Sequence, residues 1–343
     1  MTSLARRLRR KGTRRPAARA VPAVVVPAGQ PDLDTMVRLE GGEFRMGSDR
    51  HYPEEAPSRR VRVDAFWIDP YPVTNADFAR FVAATGYVTE AERTIDPALY
   101  PGIDPGLLKP GALVFRPTQG PVDLKDFRQW WEYVPGACWR RPGGAGADAL
   151  ADHPVVHVTI GDALAYARWC GKTLPTEAMW EFAARGGLED ADYCWGNEFE
   201  PEGRSMAKTW HGRFPYENLA PDGWKWTSPV GSYPANGFGL FDMAGNVWEW
   251  TTDWYTDRHA PDAAKPCCVP SDPHGGTREG SIDPFAPHLQ IPRKVVKGGS
   301  FLCTDQYCLR YRPAARQGQA IDTAIRHLGF RCVVPAVDGD LAR

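Results

Sequence analysis

No stretch of the 343-residue chain approaches the ~18 consecutive apolar residues of a membrane-spanning helix, so a membrane partner is not expected. An excess of one charge is also missing, because 41 Lys and Arg residues are balanced by 42 Asp and Glu residues. This balance excludes a protein that binds nucleic acid through bulk positive charge. Eight cysteines are too few for a disulfide scaffold, which favours metal, catalytic or redox roles for clustered ones.

Three motifs of common catalytic sites are absent: G-x-x-x-x-G-K-[ST], H-E-x-x-H and G-x-S-x-G. Their absence excludes a phosphate-binding loop, a zincin helix and a nucleophile elbow. The eight histidines are scattered, and only His153 and His157 are close in sequence. Because that segment has an extended pattern, it does not predict a shared metal on one helix face, and we interpret both histidines as structural.

Glycine, proline and tryptophan are abundant. The 34 Gly and 32 Pro residues make up about 19% of the chain, against a typical ~12%, and there are 13 Trp residues. This composition predicts a compact fold rich in irregular loops, with large aromatic side chains in its core. No repeat or composition break divides the chain, so we expect one domain over residues 36–343.

Residues 1–35 have a different composition. Eight basic residues and no acidic residue occur within residues 1–19, and we interpret this segment as a solvated, disordered tail. Pro22 and Pro27 interrupt its only apolar run, which makes a poor signal-peptide core. A cytoplasmic location is therefore expected.

The pattern within the domain predicts strands and turns over residues 37–68. Three helices are expected, one from Thr74 or Asn75 to Gly86, one opened by Thr159, and one opened by Thr176 and ended by Gly186. Residues 95–150 are rich in Gly and Pro and also carry Trp, which favours a long ordered loop region. Short segments separated by turns follow residue 188.

The spacing of Cys303 and Cys308, C-x4-C, leaves three interpretations open: a disulfide, half of a metal site, or two unrelated thiols. Thiolates favour Cu(I), Zn(II) or iron–sulfur clusters. Structural zinc requires four ligands, whereas two thiolates suffice for Cu(I). The nearby Arg310, Arg312 and Arg316 either favour the thiolate or bind acidic groups; the alternative is that they are solvated or paired structurally.

A second candidate site is the turn between Asp242 and Glu249. Two carboxylates and the turn carbonyls suit a hard cation such as calcium. The alternative is a tight turn with solvated acidic side chains.

Five runs, in this order and spacing, resemble the formylglycine-generating enzymes, also called sulfatase-modifying factors. They occupy residues 41–47, 172–182, 245–250, 298–312 and 328–332, and the resemblance extends over residues 36–335. It implies an α+β fold, a single irregular domain that is a variant of the C-type-lectin-like fold.

The resemblance also implies an activity: copper-dependent oxidation by dioxygen of the cysteine in a sulfatase Cys-x-Pro-x-Arg segment. The product is Cα-formylglycine, a post-translational modification that activates sulfatases, and the substrate is an unfolded or nascent chain. Cys303 and Cys308 match the two Cu(I) ligands, and the substrate cysteine joins as a third thiolate. Ser300, Trp248 and Tyr307 match further active-site positions. A monomer is expected.

Structural calcium is implied at two sites. One matches Asp242 and Glu249 with the carbonyls of Gly245 and Val247. The other matches Asp222 with the carbonyls of Thr209 and Trp224, but Lys208 stands where the family has asparagine. Because an ammonium has no lone pair to donate, we expect this site to lack calcium, with Lys208 paired to Asp222 instead.

Two alternatives come from the same superfamily: a non-haem iron sulfoxide synthase, which relies on histidines, and a non-catalytic lectin-like binding module, which typically lacks the cysteine pair. A disulfide between Cys170 and Cys332 is not expected, because the helix cysteine of relatives that form this bond aligns with Ala167. Cys267 and Cys268 have no assignment.

Overall fold

The computed structural model describes residues 29–95, 97, 104, 108–146, 148–259, 269–285 and 290–336. Cys267, Cys268 and residues 1–28 of the predicted tail lie outside this range. Within the predicted tail, the Gly29 N–H donates to the Arg168 carbonyl at 3.2 Å, and the boundary at residue 36 stays a prediction. No helix within the described ranges is both long and apolar enough to span a membrane.

The three predicted helices are present and short. They are α1 (Asn75–Thr85), α2 (Ile160–Trp169) and α3 (Glu177–Arg185). Thr74, Thr159 and Thr176 each cap their helix by accepting a backbone N–H with the side-chain oxygen. In α1 and α2 an Asp completes the capping box where Glu or Gln is usual.

The strands are short and are divided among four small sheets. They are β1 (Val37–Leu39), β2 (Gly42–Met46), β3 (Arg59–Val63), β4 (Phe66–Ile68), β5 (Gly111–Phe115), β6 (Trp131–Pro135), β7 (Trp248–Trp254), β8 (Arg293–Lys297), β9 (Arg316–Ala320), β10 (Leu328–Gly329) and β11 (Val333–Pro335). The strand orders are β1-β4-β11, β10-β7-β8-β9, β2-β3 and β5-β6. The predicted α+β fold with little regular structure is confirmed.

One part of the secondary-structure prediction was wrong. The expected loop over residues 95–150 contains the antiparallel pair β5–β6, with Gly111 opposite Pro135 and Phe115 opposite Trp131. The glycines and prolines that flank β5 and β6 gave the segment the composition of a loop. The two strands have five residues each, and their pairing depends on residues about 20 positions apart.

Aromatic side chains fill the core, as the tryptophan content predicted. Trp130, Trp180 and Trp250 are fully buried. Helix α3 packs on β2, β3, β7 and β8, and the Trp180 indole N–H donates to Glu249 at 2.7 Å. The four-stranded sheet is therefore backed by α3, and the segment that joins β8 to β9 begins at Gly298, beside Trp180 of that helix.

Candidate active site

The segment between β8 and β9 carries both cysteines of the C-x4-C motif. It begins with Gly298 and Gly299, whose φ angles are +93° and +71°. A Cβ added to Gly299 would lie 2.7 Å from the Arg310 carbonyl oxygen, so the chain turns here only because the residue is glycine.

Two turns then bring the cysteines together. The Cys303 N–H donates to the Ser300 carbonyl at 2.9 Å, and the Cys308 N–H donates to the Thr304 carbonyl at 2.8 Å. The two Sγ atoms are 3.2 Å apart, with the Cys303 thiol donating to Cys308. Of the three interpretations open from the sequence, this contact excludes two unrelated thiols.

The environment favours a thiolate at one of the two cysteines. The hydrogen bond from Cys303 and the nearby Arg310 guanidinium lower the pKa of Cys308 to about 7, against the opposing effect of burial. Burial raises the pKa of Cys303 well above its ordinary value. The pair therefore combines a thiol donor with a thiolate near neutral pH, and two sulfurs in contact are a donor set that fits a soft ion such as Cu(I).

The three neighbouring arginines have different roles. Arg310 lies 3.9 Å from the Cys308 sulfur, pairs with Glu54 at 2.6 Å and stacks 3.9 Å from the Tyr52 ring centroid. Arg312 and Arg316 are buried in two-pronged pairs with Glu55 and Glu177. The sequence left two interpretations open for these arginines, and each applies to some of them. Arg310 faces the thiolate, whereas Arg312 and Arg316 form structural ion pairs.

Both sulfurs line a cleft of about 560 Å³. All five residues predicted for the active site lie on its wall: Cys303, Cys308, Ser300, Trp248 and Tyr307. The Tyr307 ring stacks on Phe214, with centroids 4.6 Å apart and planes 5° apart. Trp248 begins β7 and is held beside the cysteine segment by the adjacent β8.

Sequence reasoning missed His327 in this cleft. Its Nδ1 lies 3.2 Å from the Ser300 hydroxyl oxygen, and the Ser300 N–H points to the Cys303 sulfur at 3.4 Å. Burial lowers the pKa of His327 to about 3, so the ring is neutral and acts as a hydrogen-bond partner. Its position directly before the run at 328–332 was the available signal. Phe214, Trp130 and Trp131 were missed as well, because they are distant in sequence.

The Lys208 ammonium lies among groups that the family resemblance matched to a calcium site. It contacts both carboxylate oxygens of Asp222, at 2.8 and 2.9 Å, and the carbonyl oxygen of Trp224. Two of the three matched ligands are thus bound to the side chain, and Lys208 is 2% exposed. The predicted pairing with Asp222 is present, and the absence of calcium there stays a prediction.

The presence of Lys208 where the family has asparagine predicts how many calcium ions each chain binds. The wild-type chain is expected to bind at most one calcium ion, whereas Lys208→Asn, which replaces the ammonium by an amide oxygen, should gain one further site. Calcium per chain after dialysis, measured by plasma mass spectrometry, tests this. Asp222→Asn in the Lys208→Asn background is the control that should remove the gain, and two calcium ions in the wild type would contradict the assignment.

The other calcium candidate has one carboxylate that forms no salt bridge with any described residue, although Arg331 lies near enough to lower its pKa. Asp242 is 7% exposed and accepts only neutral donors, from Gly231 at 2.7 Å and Asn246 at 3.4 Å. Burial raises its pKa, which a bound cation would counteract. Glu249 already receives two hydrogen bonds from Arg331, at 2.7 and 2.8 Å. The donor set therefore fits a hard cation through Asp242 and the turn, with Glu249 shared with Arg331.

Other predicted groups are separate from the cleft. His153 contacts Thr227 at 2.9 Å and His157 contacts the Pro142 carbonyl at 2.9 Å, so each has its own neighbour. Cys170 and Cys332 are free, and a hydrogen bond from Cys332 lowers the pKa of the half-buried Cys170. Within the described ranges no three His, Cys, Asp or Glu side chains gather as a metal site.

The fold and the site define an irregular α+β protein with a paired-thiol cleft. Residues 21–336 match the model of the family described as the sulfatase-modifying factor enzyme 1-like domain. The chain belongs to this family, as its sequence motifs had indicated.

Named relatives agree with this membership. The chain is 56% identical over 310 residues to the formylglycine-generating enzyme of Mycobacterium tuberculosis, covering 90% of this chain and 100% of that protein. It is 45% identical to the formylglycine-generating enzyme of Streptomyces coelicolor, covering 95% and 96% of the two chains. A mouse relative, 37% identical over 88% of this chain and 86% of its own length, is named inactive Cα-formylglycine-generating enzyme 2.

A solved structure shares the fold. The structure of PvdO from Pseudomonas aeruginosa superimposes with a TM-score of 0.59 at 22% identity, covering 88% of this chain and 94% of that one. At this identity the similarity establishes the architecture alone.

Proposed function

We propose that this protein is an enzyme that converts a cysteine of a sulfatase into formylglycine. The observation that carries the proposal is the contact of Cys303 and Cys308, 3.2 Å apart on the wall of a cleft large enough for a peptide segment. The names of the relatives support the same reaction. Because one relative is named inactive, family membership alone does not decide activity, and the proposal therefore depends on the thiol pair of this chain.

The finer proposal is an oxidase. The substrate cysteine loses two electrons and two protons from its Cβ–S unit to dioxygen, which becomes hydrogen peroxide, and a thioaldehyde forms. Water then replaces the sulfur, giving the aldehyde and hydrogen sulfide. Cu(I), held by Cys303 and Cys308, would supply the one-electron chemistry with dioxygen that thiols lack. The substrate is a Cys-x-Pro-x-Arg segment of an unfolded sulfatase, and the enzyme acts as a cytoplasmic monomer.

The residues around the pair have separate tasks. Arg310 stabilises negative charge on the Cys308 sulfur, from 3.9 Å. Trp248, Tyr307 and Phe214 form apolar walls that exclude water from the reacting cysteine. The Ser300 hydroxyl, which contacts His327 and accepts the Leu302 N–H at 3.3 Å, orients the cysteine segment. We also propose that calcium bound at Asp242 stabilises the fold.

The test is a peptide assay. Copper-loaded protein is incubated in air with a Cys-x-Pro-x-Arg peptide, and the peptide mass is measured. We expect the mass change from thiol to aldehyde, with none for the same peptide carrying Ser in place of Cys. An unchanged cysteine peptide despite bound copper would overturn the substrate motif. Failure to bind copper as well would favour the binding-module alternative.

Ser300→Ala is expected to lower kcat/KM by about 10- to 100-fold, the range found when groups that orient metal ligands are removed. Copper retention should persist, since both sulfurs remain. The matched control is Ser228→Ala, a fully buried serine outside the cleft whose hydroxyl has no partner among the described residues. Peptide turnover and copper content measured together check this, and an unchanged kcat/KM would refute the positioning role.

A further inference from the structure

Arg326 is a buried cation that has no anionic partner in the part of the chain that the structure describes. Its side chain is 9% exposed, yet it forms neither a salt bridge nor a side-chain hydrogen bond with any described residue. The other buried arginines of the described chain each pair with a glutamate: Arg185 with Glu181, Arg312 with Glu55, Arg316 with Glu177 and Arg331 with Glu249. Because a buried charge is costly unless it is paired, this exception points to a missing anion.

The guanidinium lies beside a separate cavity of about 120 Å³. Its chain neighbours Ile325 and His327 line the thiol cleft, whereas Arg326 lines this second cavity. Phe301, between Ser300 and Leu302 of the cysteine segment, also contributes to the second cavity. The two spaces therefore lie on either side of the same two backbone segments.

The protein compensates the charge of Arg326 only in part. The guanidinium stacks on the Trp226 ring, 4.2 Å from its centroid. Burial, with the nearby positive charge of Arg116, lowers the pKa of Arg326 to about 10. One carboxylate, that of Asp148, lines the cavity, but it is exposed and forms no ion pair with Arg326. Lys225 lines it as well, so the charged side chains of the cavity are positive on balance.

We propose that this cavity binds a small oxyanion through the forked N–H donors of Arg326. A guanidinium matches two coplanar oxygens, whether they belong to a carboxylate or to a tetrahedral anion. The volume is well below the roughly 300 Å³ at which pockets for drug-sized ligands begin, so the ligand is a small anion. His153 and Trp224, packed edge to face 4.8 Å apart, form a further part of the lining.

Calorimetric titration of the full-length protein with sodium sulfate and, separately, sodium acetate tests the proposal. Chloride keeps the ionic strength constant. We expect saturable binding of at least one anion to the wild type and a loss of at least about tenfold in affinity in Arg326→Met, as for a charged hydrogen bond of at least 1.4 kcal/mol. Arg80→Met, which removes an exposed arginine on α1, is the matched control and should bind like the wild type.

The two anions distinguish the source of the ligand. Sulfate binding alone would identify a free tetrahedral anion, acetate binding alone a carboxylate, and binding of both the shared oxyanion chemistry. Thermal unfolding adds a second readout: without anion, Arg326→Met should melt above the wild type, because it removes an unpaired buried charge. If Arg326→Met does not fold, the titration is done with Arg326→Lys, which keeps the positive charge but lacks the forked N–H donors of the guanidinium. Absence of saturable binding in the wild type, or equal binding in the folded variant, would overturn the proposal.

Discussion

Replacing Cys303 or Cys308 by alanine is expected to reduce formylglycine formation by far more than 100-fold. Changes in outer partners of metal ligands already cost about 10- to 100-fold, and these variants remove a ligand itself. They also break the 3.2 Å contact between the sulfurs. Copper bound per chain should fall together with the turnover of the Cys-x-Pro-x-Arg peptide, and both are measured on the same preparation.

The matched control for these variants is Cys170→Ala. Cys170 is also a free cysteine, but it lies at the end of α2, away from the cleft, and should retain copper and activity. A single variant of the pair that keeps full turnover would contradict the role of the two thiols. Loss of turnover with full copper binding would instead show that the replaced cysteine is required for catalysis but not for copper binding.

Glu177→Gln is expected to lower the free energy of unfolding by about 3–5 kcal/mol, the cost of breaking a buried ion pair on one side. Glu177 is 3% exposed and receives two hydrogen bonds from Arg316, at 2.7 and 2.9 Å. Lys297 lies 3.7 Å from Glu177 and also pairs with Glu181. The variant therefore leaves Arg316 without a close carboxylate among the described residues and leaves Lys297 with one. Urea unfolding at neutral pH gives the difference.

The same variant predicts a pH dependence. Burial alone would raise the pKa of Glu177, but Arg316 and Lys297 outweigh it and lower the pKa from 4.5 to about 2. A lowered pKa stabilises the folded state above the ordinary value, and this contribution is lost as the pH falls from 4.5 towards 2. The gap between wild type and variant should therefore be largest near pH 7 and narrow between pH 4.5 and pH 3.

An exposed ion pair provides the control. Glu132→Gln breaks a pair with Arg116 in which both side chains are about half exposed, and it should change the unfolding free energy by less than about 1 kcal/mol. A Glu177→Gln protein as stable as Glu132→Gln would show that the buried network is not required. A gap that stays constant down to pH 3 would contradict the low pKa of Glu177.

Much of the site could be predicted because its signals are local. Cys303 and Cys308 lie five residues apart, and the two glycines before them indicate a turn. Phe214 was missed because it carries no local pattern and reaches the cleft from a distant backbone segment. His327 was missed although it stands directly before the run at 328–332, because nothing in that run shows which cleft the ring faces. The strands β5 and β6 were missed for a related reason. A strand of five residues is stabilised by its partner strand, and the sequence of either strand alone does not show that pairing.

The sequence by itself determined the family, the three capped helices, the aromatic core and the residues that form the thiol pair. These features depend on short-range rules: a threonine cap, a glycine with positive φ, a motif of fixed spacing. Only the tertiary structure decided which group each arginine contacts. Arg310, Arg312, Arg316 and Arg326 lie within 17 residues, yet one faces a thiolate, two are paired with glutamates and one has no anionic partner among the described residues. The reason is physical: the compensation of a buried charge depends on residues up to 257 positions away.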